Sequence, residues 1–233
     1  MEIHPEVLRA NLEDVRGRIA AAARRAGRDP AAVTLVAVTK RRSIAATRAL
    51  LDLGVSDLGE NYPQELWAKA EALRDQPVRW HLIGHLQSNK AKRTWPLVRF
   101  VHAVDSLKLL KVLNDLAAVG EAPRVCLQVN VSEEAAKHGW SAEGLLAEAD
   151  AIAECRRLPI VGLMTMAAET DDPESARPAF ACLRALRDEL AHRTGLALSE
   201  LSMGMSGDYE VAIEEGATLV RVGSALFQGV ESQ

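Results

Sequence analysis

The chain has 233 residues, 48% of them hydrophobic, which is enough for the core of one large α/β domain. Its 28 basic and 32 acidic residues leave a net charge of −4, so the composition gives no general attraction to nucleic acid or to an anionic membrane. No apolar run approaches the roughly 20 residues that cross a bilayer, and no signal-like apolar stretch opens the chain, so we expect a cytoplasmic protein.

Apolar periodicity changes from helical to strand-like after the first segment. A helix is predicted over residues 7–26, and Gly27 ends it. Short apolar runs typical of buried strands then alternate with longer amphipathic segments. The predicted strands are 33–38, 56–58, 79–83, 100–103, 124–130, 160–163, 200–202 and 219–222, and the predicted helices between and after them are 44–53, 62–74, 88–98, 106–119, 141–156, 174–193 and 208–215.

Eight strands that alternate with helices indicate a (β/α)8 TIM barrel, here with an extra helix at the N-terminus. We expect residues 1–233 to form this single domain. The count depends on two short strands, 56–58 and 200–202. An open doubly wound sheet is the alternative, but no Gly-x-Gly-x-x-Gly fingerprint follows the first strand.

Lys40 stands where the first predicted strand opens into a loop, and Arg41 and Arg42 follow it. Loops after the strands share one face of a barrel, and ligands bind at that face. A partly desolvated lysine beside two cations is expected to have a lowered pKa, and a neutral amine can form a Schiff base with an aldehyde. From this segment alone, a lysine that only keeps the strand end soluble is the more common case.

Small and hydroxyl residues follow the last two predicted strands. Ser202 and Met203 begin the loop after the seventh strand, and Gly223 and Ser224 follow the eighth. Phosphate sites in such barrels are frequently built from these two loops, although an ordinary glycine–serine turn is an equal alternative. One ligand with an aldehyde at one end and a phosphate at the other would account both for Lys40 and for the small and hydroxyl residues after the last two strands. Pyridoxal 5′-phosphate (PLP) has this form.

Arg221 lies within the apolar eighth strand and needs a partner, because arginine stays charged even when it is buried. A carboxylate is one candidate partner, and a ring nitrogen of the ligand is the other. An arginine cannot give that nitrogen a proton, which would weaken a pyridine ring as an electron sink.

Matching segments along the whole chain carry a resemblance to a known family. They are residues 36–40, 59–62, 80–90, 104–106, 128–133, 162–166, 201–206 and 221–227. Through them the chain resembles the PLP-binding homeostasis proteins, which are relatives of the alanine racemase barrel. The resemblance implies a PLP site in which Lys40 carries the cofactor as a Schiff base, Arg221 faces the ring nitrogen, and Ser202, Gly223 and Ser224 help to hold the phosphate.

Four further residues complete the expected site. The resemblance implies that Asn61 lies near the ring and that Lys137 could take part in receiving or releasing PLP. Met203 is assigned to the site through the loop that it shares with Ser202. Met164 would lie under the ring, although packing in the core explains it equally well.

The resemblance implies a monomeric protein that buffers PLP or delivers it to PLP-dependent apo-enzymes, without a catalytic residue of its own. An amino-acid racemase or decarboxylase is the alternative, and a cofactor-free Schiff-base aldolase is a third. Related racemases take an acid–base tyrosine from a second domain, which a chain ending at Gln233 is expected to lack; Tyr62 and Tyr209 remain. His102 and His138 have no evident metal-like partners in the sequence, so no metal is expected.

Overall fold

The computed structural model describes residues 3–117, 122–131, 138–168 and 171–231, and a barrel of parallel strands forms its centre. The strands are β1 (Thr34–Val38), β2 (Asp57–Glu60), β3 (Arg79–Leu82), β4 (Phe100–Val104), β5 (Arg124–Gln128), β6 (Ile160–Met164), β7 (Glu200–Ser202) and β8 (Leu219–Val222). Each strand pairs with the next, and β8 pairs with β1, so the barrel is closed. This confirms the predicted (β/α)8 fold, including both short strands.

Helices connect the strands and surround the barrel. The α-helices are α1 (Pro5–Arg25), α2 (Ile44–Asp52), α3 (Pro63–Ala72), α4 (Ser88–Thr94), α5 (Leu107–Leu116), α6 (Ala142–Ala147), α7 (Ala149–Ala153), α8 (Arg177–Thr194), α9 (Tyr209–Glu214) and α10 (Ser224–Phe227). The cap residues Ser106 and Ser141 accept hydrogen bonds from the first turns of α5 and α6. Within the described ranges, no helix is long and apolar enough to cross a membrane.

Two predicted elements differ from the structure. The helix expected over 141–156 is broken at Glu148, whose carboxylate accepts a hydrogen bond from the indole of Trp140 at 2.8 Å. The strand expected over 124–130 ends at Gln128, and the next residue, Val129, forms only an isolated bridge with Trp140 beyond the strand.

The N-terminal helix α1 packs on the outside of the barrel against α9 and α10. Leu8, Leu12 and Val15 are buried on its inner face. Arg18 forms an ion pair with Glu210 of α9 at 2.7 Å. The extra N-terminal helix is therefore an integral part of the outer layer, as expected.

The barrel interior has an apolar layer and a charged floor. Eight buried or nearly buried residues form the inner apolar layer: Val36, Val38, Ile83, Phe100, Ala103, Cys126, Met164 and Leu219. At the amino ends of the strands, Asp57 pairs with Arg79, and Arg124 pairs with Glu200, each at 2.5 Å. Charged pairs thus occupy the amino ends of the strands, and ligands of such barrels bind at the opposite, carboxyl ends.

Candidate functional site

Lys40 lies at the mouth of the barrel, just beyond the end of β1. Val36 and Val38 belong to the inner apolar layer, and alternate residues of a strand face the same side, so Lys40 continues the inward series. Its side chain is exposed, and it makes no hydrogen bond or ion pair with any residue that the structure describes. The amine is therefore available to a ligand in the mouth.

The backbone turns sharply directly after Lys40. Arg41 has φ of 59°, the one positive φ of a non-glycine residue in the described part of the chain. Such a left-handed conformation costs an ordinary residue about 1–2 kcal/mol. Glu65 of α3 stabilises it, because its carboxylate accepts the Arg41 backbone N–H at 3.1 Å. This turn sets the direction in which the chain leaves β1 and so the position of Lys40.

The next residue, Arg42, is engaged elsewhere. Its guanidinium forms an ion pair with Glu231 at 3.1 Å and lies 4.9 Å from the ring centroid of Phe227. The sequence predicts a partly desolvated Lys40 beside two cations; in the structure Lys40 is exposed, and the charge of Arg42 is compensated by Glu231.

A buried ion pair lies against the peptide that joins Thr39 to Lys40. Lys69 of α3 donates to the Thr39 carbonyl and to Glu60 Oε1, both at 2.6 Å, and Thr39 Oγ1 donates to the same Glu60 oxygen at 2.6 Å. Burial raises the pKa of Glu60, while the hydrogen bonds from Lys69 and Thr39 act in the opposite direction. The other oxygen, Glu60 Oε2, is buried without a hydrogen-bond partner among the described residues.

A chain of hydrogen bonds crosses the barrel interior from Arg221 to Asp57; we call it the interior relay. Arg221 Nη1 donates to Ser202 Oγ at 2.7 Å, and Ser202 Oγ lies 2.6 Å from His102 Nδ1. His102 Nε2 lies 2.8 Å from His81 Nδ1, and His81 Nε2 lies 3.1 Å from Asp57 Oδ1. Arginine only donates and an ionised carboxylate only accepts, so with both histidines neutral each donor in the relay points from Arg221 towards Asp57.

The protonation states agree with this direction. Burial lowers the pKa of His102 well below its ordinary value, and burial also lowers the pKa of His81, although Asp57 opposes it. Burial disfavours the charge of Asp57, but hydrogen bonds from Arg79 and His81 hold its pKa below the usual range. Both histidines are thus neutral, with the proton on Nε2, between one cation and one anion.

Arg221 has no carboxylate within 4.0 Å among the residues described, so the carboxylate partner left open by the sequence is not found. Its Nη2 donates to the backbone carbonyl of Thr165 at 2.9 Å. Burial lowers the pKa of Arg221 to about 10, with Asp208 acting in the opposite direction, so the guanidinium remains charged at neutral pH.

Two backbone amides converge at the start of α10; with the hydroxyl that they bind, we call them the amide cradle. The N–H groups of Gly223 and Ala225 donate to Ser206 Oγ at 3.2 and 3.3 Å. Gly223 packs tightly against β1, since an added Cβ would lie 3.2 Å from the Cβ of Val38. Amides that converge on one point suit a phosphate oxygen. The sequence interpretation missed Ser206, although it lies in the matching segment 201–206.

The other predicted site residues are placed as follows. Ser202 is buried, and its hydroxyl is used inside the barrel, which does not support the predicted contact with phosphate. Met203 packs between the barrel and the helices, because it lies on the opposite face of β7 from Ser202. Met164 lies in the inner apolar layer. Lys137 lies outside the described residues.

Asn61 and Ser224 remain at the mouth. Asn61 directly follows β2 and is half-buried, and Ser224 is exposed at the first residue of α10. Tyr62, next to Asn61, is 42% exposed. Tyr209 is buried, and its hydroxyl has no hydrogen-bond partner among the described residues.

The two singled-out histidines are not isolated. His102 belongs to the interior relay. The ring of His138 stacks on that of His85 with centroids 4.9 Å apart, and His85 Nδ1 lies 2.7 Å from Asp105 Oδ2. The expectation that His138 lacks metal-like partners is therefore wrong, because loops distant in sequence meet at the mouth.

Gly84→Ala tests the packing around Asn61. An added Cβ would lie 2.1 Å from the Asn61 backbone oxygen and 2.5 Å from its Oδ1, so one segment must move. We expect a loss of about 1–3 kcal/mol in the free energy of unfolding, measured in urea. Gly17→Ala in α1 is the control, because its Cβ meets nothing within 4 Å and should stabilise by about 0.5–1 kcal/mol. Equal effects at the two positions would contradict the close approach.

Comparison with known proteins agrees with this geometry. Residues 8–230 match the family described as alanine racemase, N-terminal domain. The chain is 46% identical over 218 residues to the pyridoxal phosphate homeostasis protein of Pseudomonas aeruginosa, and the match covers 93% of each protein. The match therefore spans nearly the whole of both proteins and is not confined to a single motif.

Solved structures show the same relationship. PipY of Synechococcus elongatus without PLP has a TM-score of 0.85 at 36% identity, and PipY with PLP bound has 0.83 at 35%; each match covers 94% of this chain and 99% of PipY. An alanine racemase of Clostridium difficile has a TM-score of 0.75 at 16% identity, over 100% of this chain and 62% of the racemase. That last likeness concerns the fold alone.

Proposed function

The chain belongs to the alanine racemase N-terminal domain family and, within it, to the pyridoxal phosphate homeostasis proteins, and we propose that it binds PLP and buffers or delivers it. One observation carries the proposal: a lysine amine that no described residue engages and an amide cradle share one barrel mouth. They are adjacent, because Gly223 of the cradle packs on Val38, two residues before Lys40. The PLP-bound form of PipY supports the choice of ligand.

The residues present fit this cofactor. When bound, PLP supplies an aldehyde that forms a Schiff base with an amine, and it brings a phosphate and a pyridine ring. Lys40 would provide the amine. The amides of Gly223 and Ala225, with the hydroxyl of Ser206, would hold the phosphate in place of their present mutual hydrogen bonds. Asn61, Met164 and Ser224 remain proposed contacts at the mouth.

Arg221 is the proposed partner of the ring nitrogen, and it favours a carrier over an enzyme. A guanidinium keeps its protons at neutral pH, so it can donate a hydrogen bond to that nitrogen without protonating it. The interior relay behind it holds two neutral histidines and offers no acidic proton. Arg221 would therefore leave the ring a weak electron sink, which disfavours racemisation and decarboxylation of amino acids.

Variants of Ser202 and Ser206 test the interior relay and the amide cradle separately. Ser202→Ala leaves Arg221 Nη1 and His102 Nδ1 without their partner, so we expect a loss of about 1–3 kcal/mol in the free energy of unfolding. Ser206→Ala is expected to weaken PLP binding about 10- to 100-fold, the value of a hydrogen bond to a charged group, with a smaller loss of stability than Ser202→Ala because Ser206 is only half-buried. Fluorescence titration and urea unfolding of both variants provide the measurements. The reverse pattern would assign the phosphate to Ser202.

The carrier function is tested by transfer and by proton exchange. PLP-loaded protein mixed with a PLP-dependent apo-enzyme should restore that enzyme's activity, while α-proton exchange of the common amino acids in deuterated buffer stays at the level of free PLP. General acid–base groups contribute about 10²- to 10⁴-fold in rate, so a racemase would be clearly visible. Rapid exchange of one amino acid, abolished in Lys40→Met, would contradict the carrier and favour the enzyme.

We also propose the cellular location of the protein, its oligomeric state and the recipients of PLP. We expect the protein to act in the cytoplasm as a monomer and to deliver PLP to PLP-dependent apo-enzymes. Lys137 is proposed to take part in receiving or releasing PLP. Sedimentation of the purified chain with and without PLP tests whether it is a monomer. A Lys137→Met variant that transfers PLP more slowly, with unchanged affinity for PLP, would support the role of Lys137 in transfer.

A further inference from the structure

Three metal-ligating side chains meet at the barrel mouth around β3, β4 and β5. His85 follows β3, Asp105 follows β4 and His138 lies beyond β5. One ligand atom from each lies within 4.8 Å of those of the other two. We infer that these residues form a binding site for one divalent transition metal ion of the zinc type.

The spacing suits a small ion with nitrogen and oxygen ligands. At zinc–ligand distances of about 2.0–2.1 Å, tetrahedral ligand atoms stand about 3.3 Å apart. His85 Nδ1 and Asp105 Oδ2 are 2.7 Å apart, a hydrogen-bond distance, and a metal ion would fit between them after a separation of roughly half an ångström. The rings of His85 and His138 are already near-parallel, 19° apart.

The barrel holds two of these ligands firmly. Asp105 lies between the last residue of β4 and the cap residue Ser106 of α5, and its side chain is only 9% exposed. The backbone carbonyl of His138 accepts a hydrogen bond from the Gln128 side chain of β5 at 2.9 Å. Fixed ligands lower the ordering cost of binding an ion.

The His138 position depends on a glycine. The following residue, Gly139, has φ of 113°, and an added Cβ would lie 2.7 Å from the Gln128 carbonyl. Only glycine allows the chain to approach β5 this closely. The close approach brings His138 to the strand end, opposite His85.

The ligand set selects the class of ion. Two imidazoles and one carboxylate suit Zn²⁺, Co²⁺, Ni²⁺ or Cu²⁺, whereas Mg²⁺ and Ca²⁺ prefer oxygen ligands alone. Three protein ligands leave at least one coordination position for water, as in open zinc sites. The bound ion would join three loops of the mouth that are far apart in sequence.

Calorimetric titration with Zn²⁺ alone tests the site on the full chain, after treatment with a chelator and its removal. We expect one Zn²⁺ per chain, no competition from Mg²⁺, and Co²⁺ absorption bands of a site with nitrogen ligands. His85→Gln and His138→Gln should each weaken Zn²⁺ binding at least about tenfold, and Asp105→Asn about 10- to 100-fold. The exposed His192 of α8 provides the control His192→Gln, which should bind Zn²⁺ like the wild type.

Thermal unfolding without metal shows that each variant is folded. Two results would overturn the proposal: no saturable Zn²⁺ binding by the wild type, or binding of equal strength by the double variant of His85 and His138. The second result would identify an adventitious ion only. None of these measurements uses PLP, so the metal site and the cofactor site succeed or fail separately.

Discussion

Lys69→Met is expected to lower the free energy of unfolding by about 3–5 kcal/mol, the cost of leaving a buried charge without its partner. The fully buried Glu60 would lose the ammonium that lies 2.6 Å from its Oε1, and the Thr39 carbonyl would lose its donor. Urea unfolding gives the measurement. Lys111→Met on α5 is the control, because its side chain is exposed and surface changes stay within about 0.5 kcal/mol.

The pH dependence of this loss follows from the pKa of Glu60. Burial already raises that pKa, and without Lys69 it rises further. When the pKa of a carboxyl is raised in the folded state, the stability of the protein increases as the pH falls towards about 4.3, the pKa of that carboxyl in the unfolded state. The Lys69→Met loss should therefore be larger at about pH 8 than at about pH 5.

A double variant isolates the pair. Glu60→Gln combined with Lys69→Met should cost less at neutral pH than Lys69→Met alone, because no buried charge is left uncompensated. A loss for Lys69→Met that is the same at both pH values, or as small as that of Lys111→Met, would show that the two side chains do not form a charged pair.

Lys40→Met is expected to abolish the visible absorbance of the PLP-loaded protein and the covalent retention of PLP. The amide cradle and Arg221 remain, so weak, reversible binding of PLP should persist. Because Lys40 is exposed and makes no hydrogen bond or ion pair with the described residues, stability without ligand should change by no more than about 0.5 kcal/mol. Absorbance, dialysis and urea unfolding give these results.

Lys108→Met provides the matched control, since Lys108 is exposed near the start of α5. It should keep the absorbance, the retained PLP and the stability of the wild type. If Lys40→Met keeps the wild-type absorbance, another amine carries the cofactor.

The barrel could be predicted because short, mostly apolar runs alternate with longer amphipathic segments along the chain. The mouth could also be predicted, because every loop after a strand lies at that end. This reasoning places Lys40 at the mouth, and its role as the Schiff-base lysine stays a prediction that comes from the family resemblance. The spacing of apolar residues could not show that the helix after Ser141 is broken at Glu148. The Glu148 side chain accepts a hydrogen bond from the Trp140 indole, and such a side-chain contact leaves no mark on the apolar pattern.

Contacts across the barrel could not be predicted from local pattern. His102 and Ser202 are 100 residues apart, and their hydrogen bond decides that the Ser202 hydroxyl serves the interior relay. Ser206 lies in the turn after β7, where no strand alternation fixes the direction of its side chain, so its contact with the Gly223 and Ala225 amides could not be predicted either. Met203 directly follows Ser202, so its side chain lies on the opposite side of the chain and packs in the outer layer between the barrel and the helices.

Reduction of the PLP-loaded wild-type protein with borohydride, followed by peptide mapping, tests the central claim most directly. The claim predicts one pyridoxyl adduct per chain, on Lys40, with the buried Lys69 and the remaining lysines unmodified. A single adduct on another lysine, with Lys40 recovered unmodified, would contradict it.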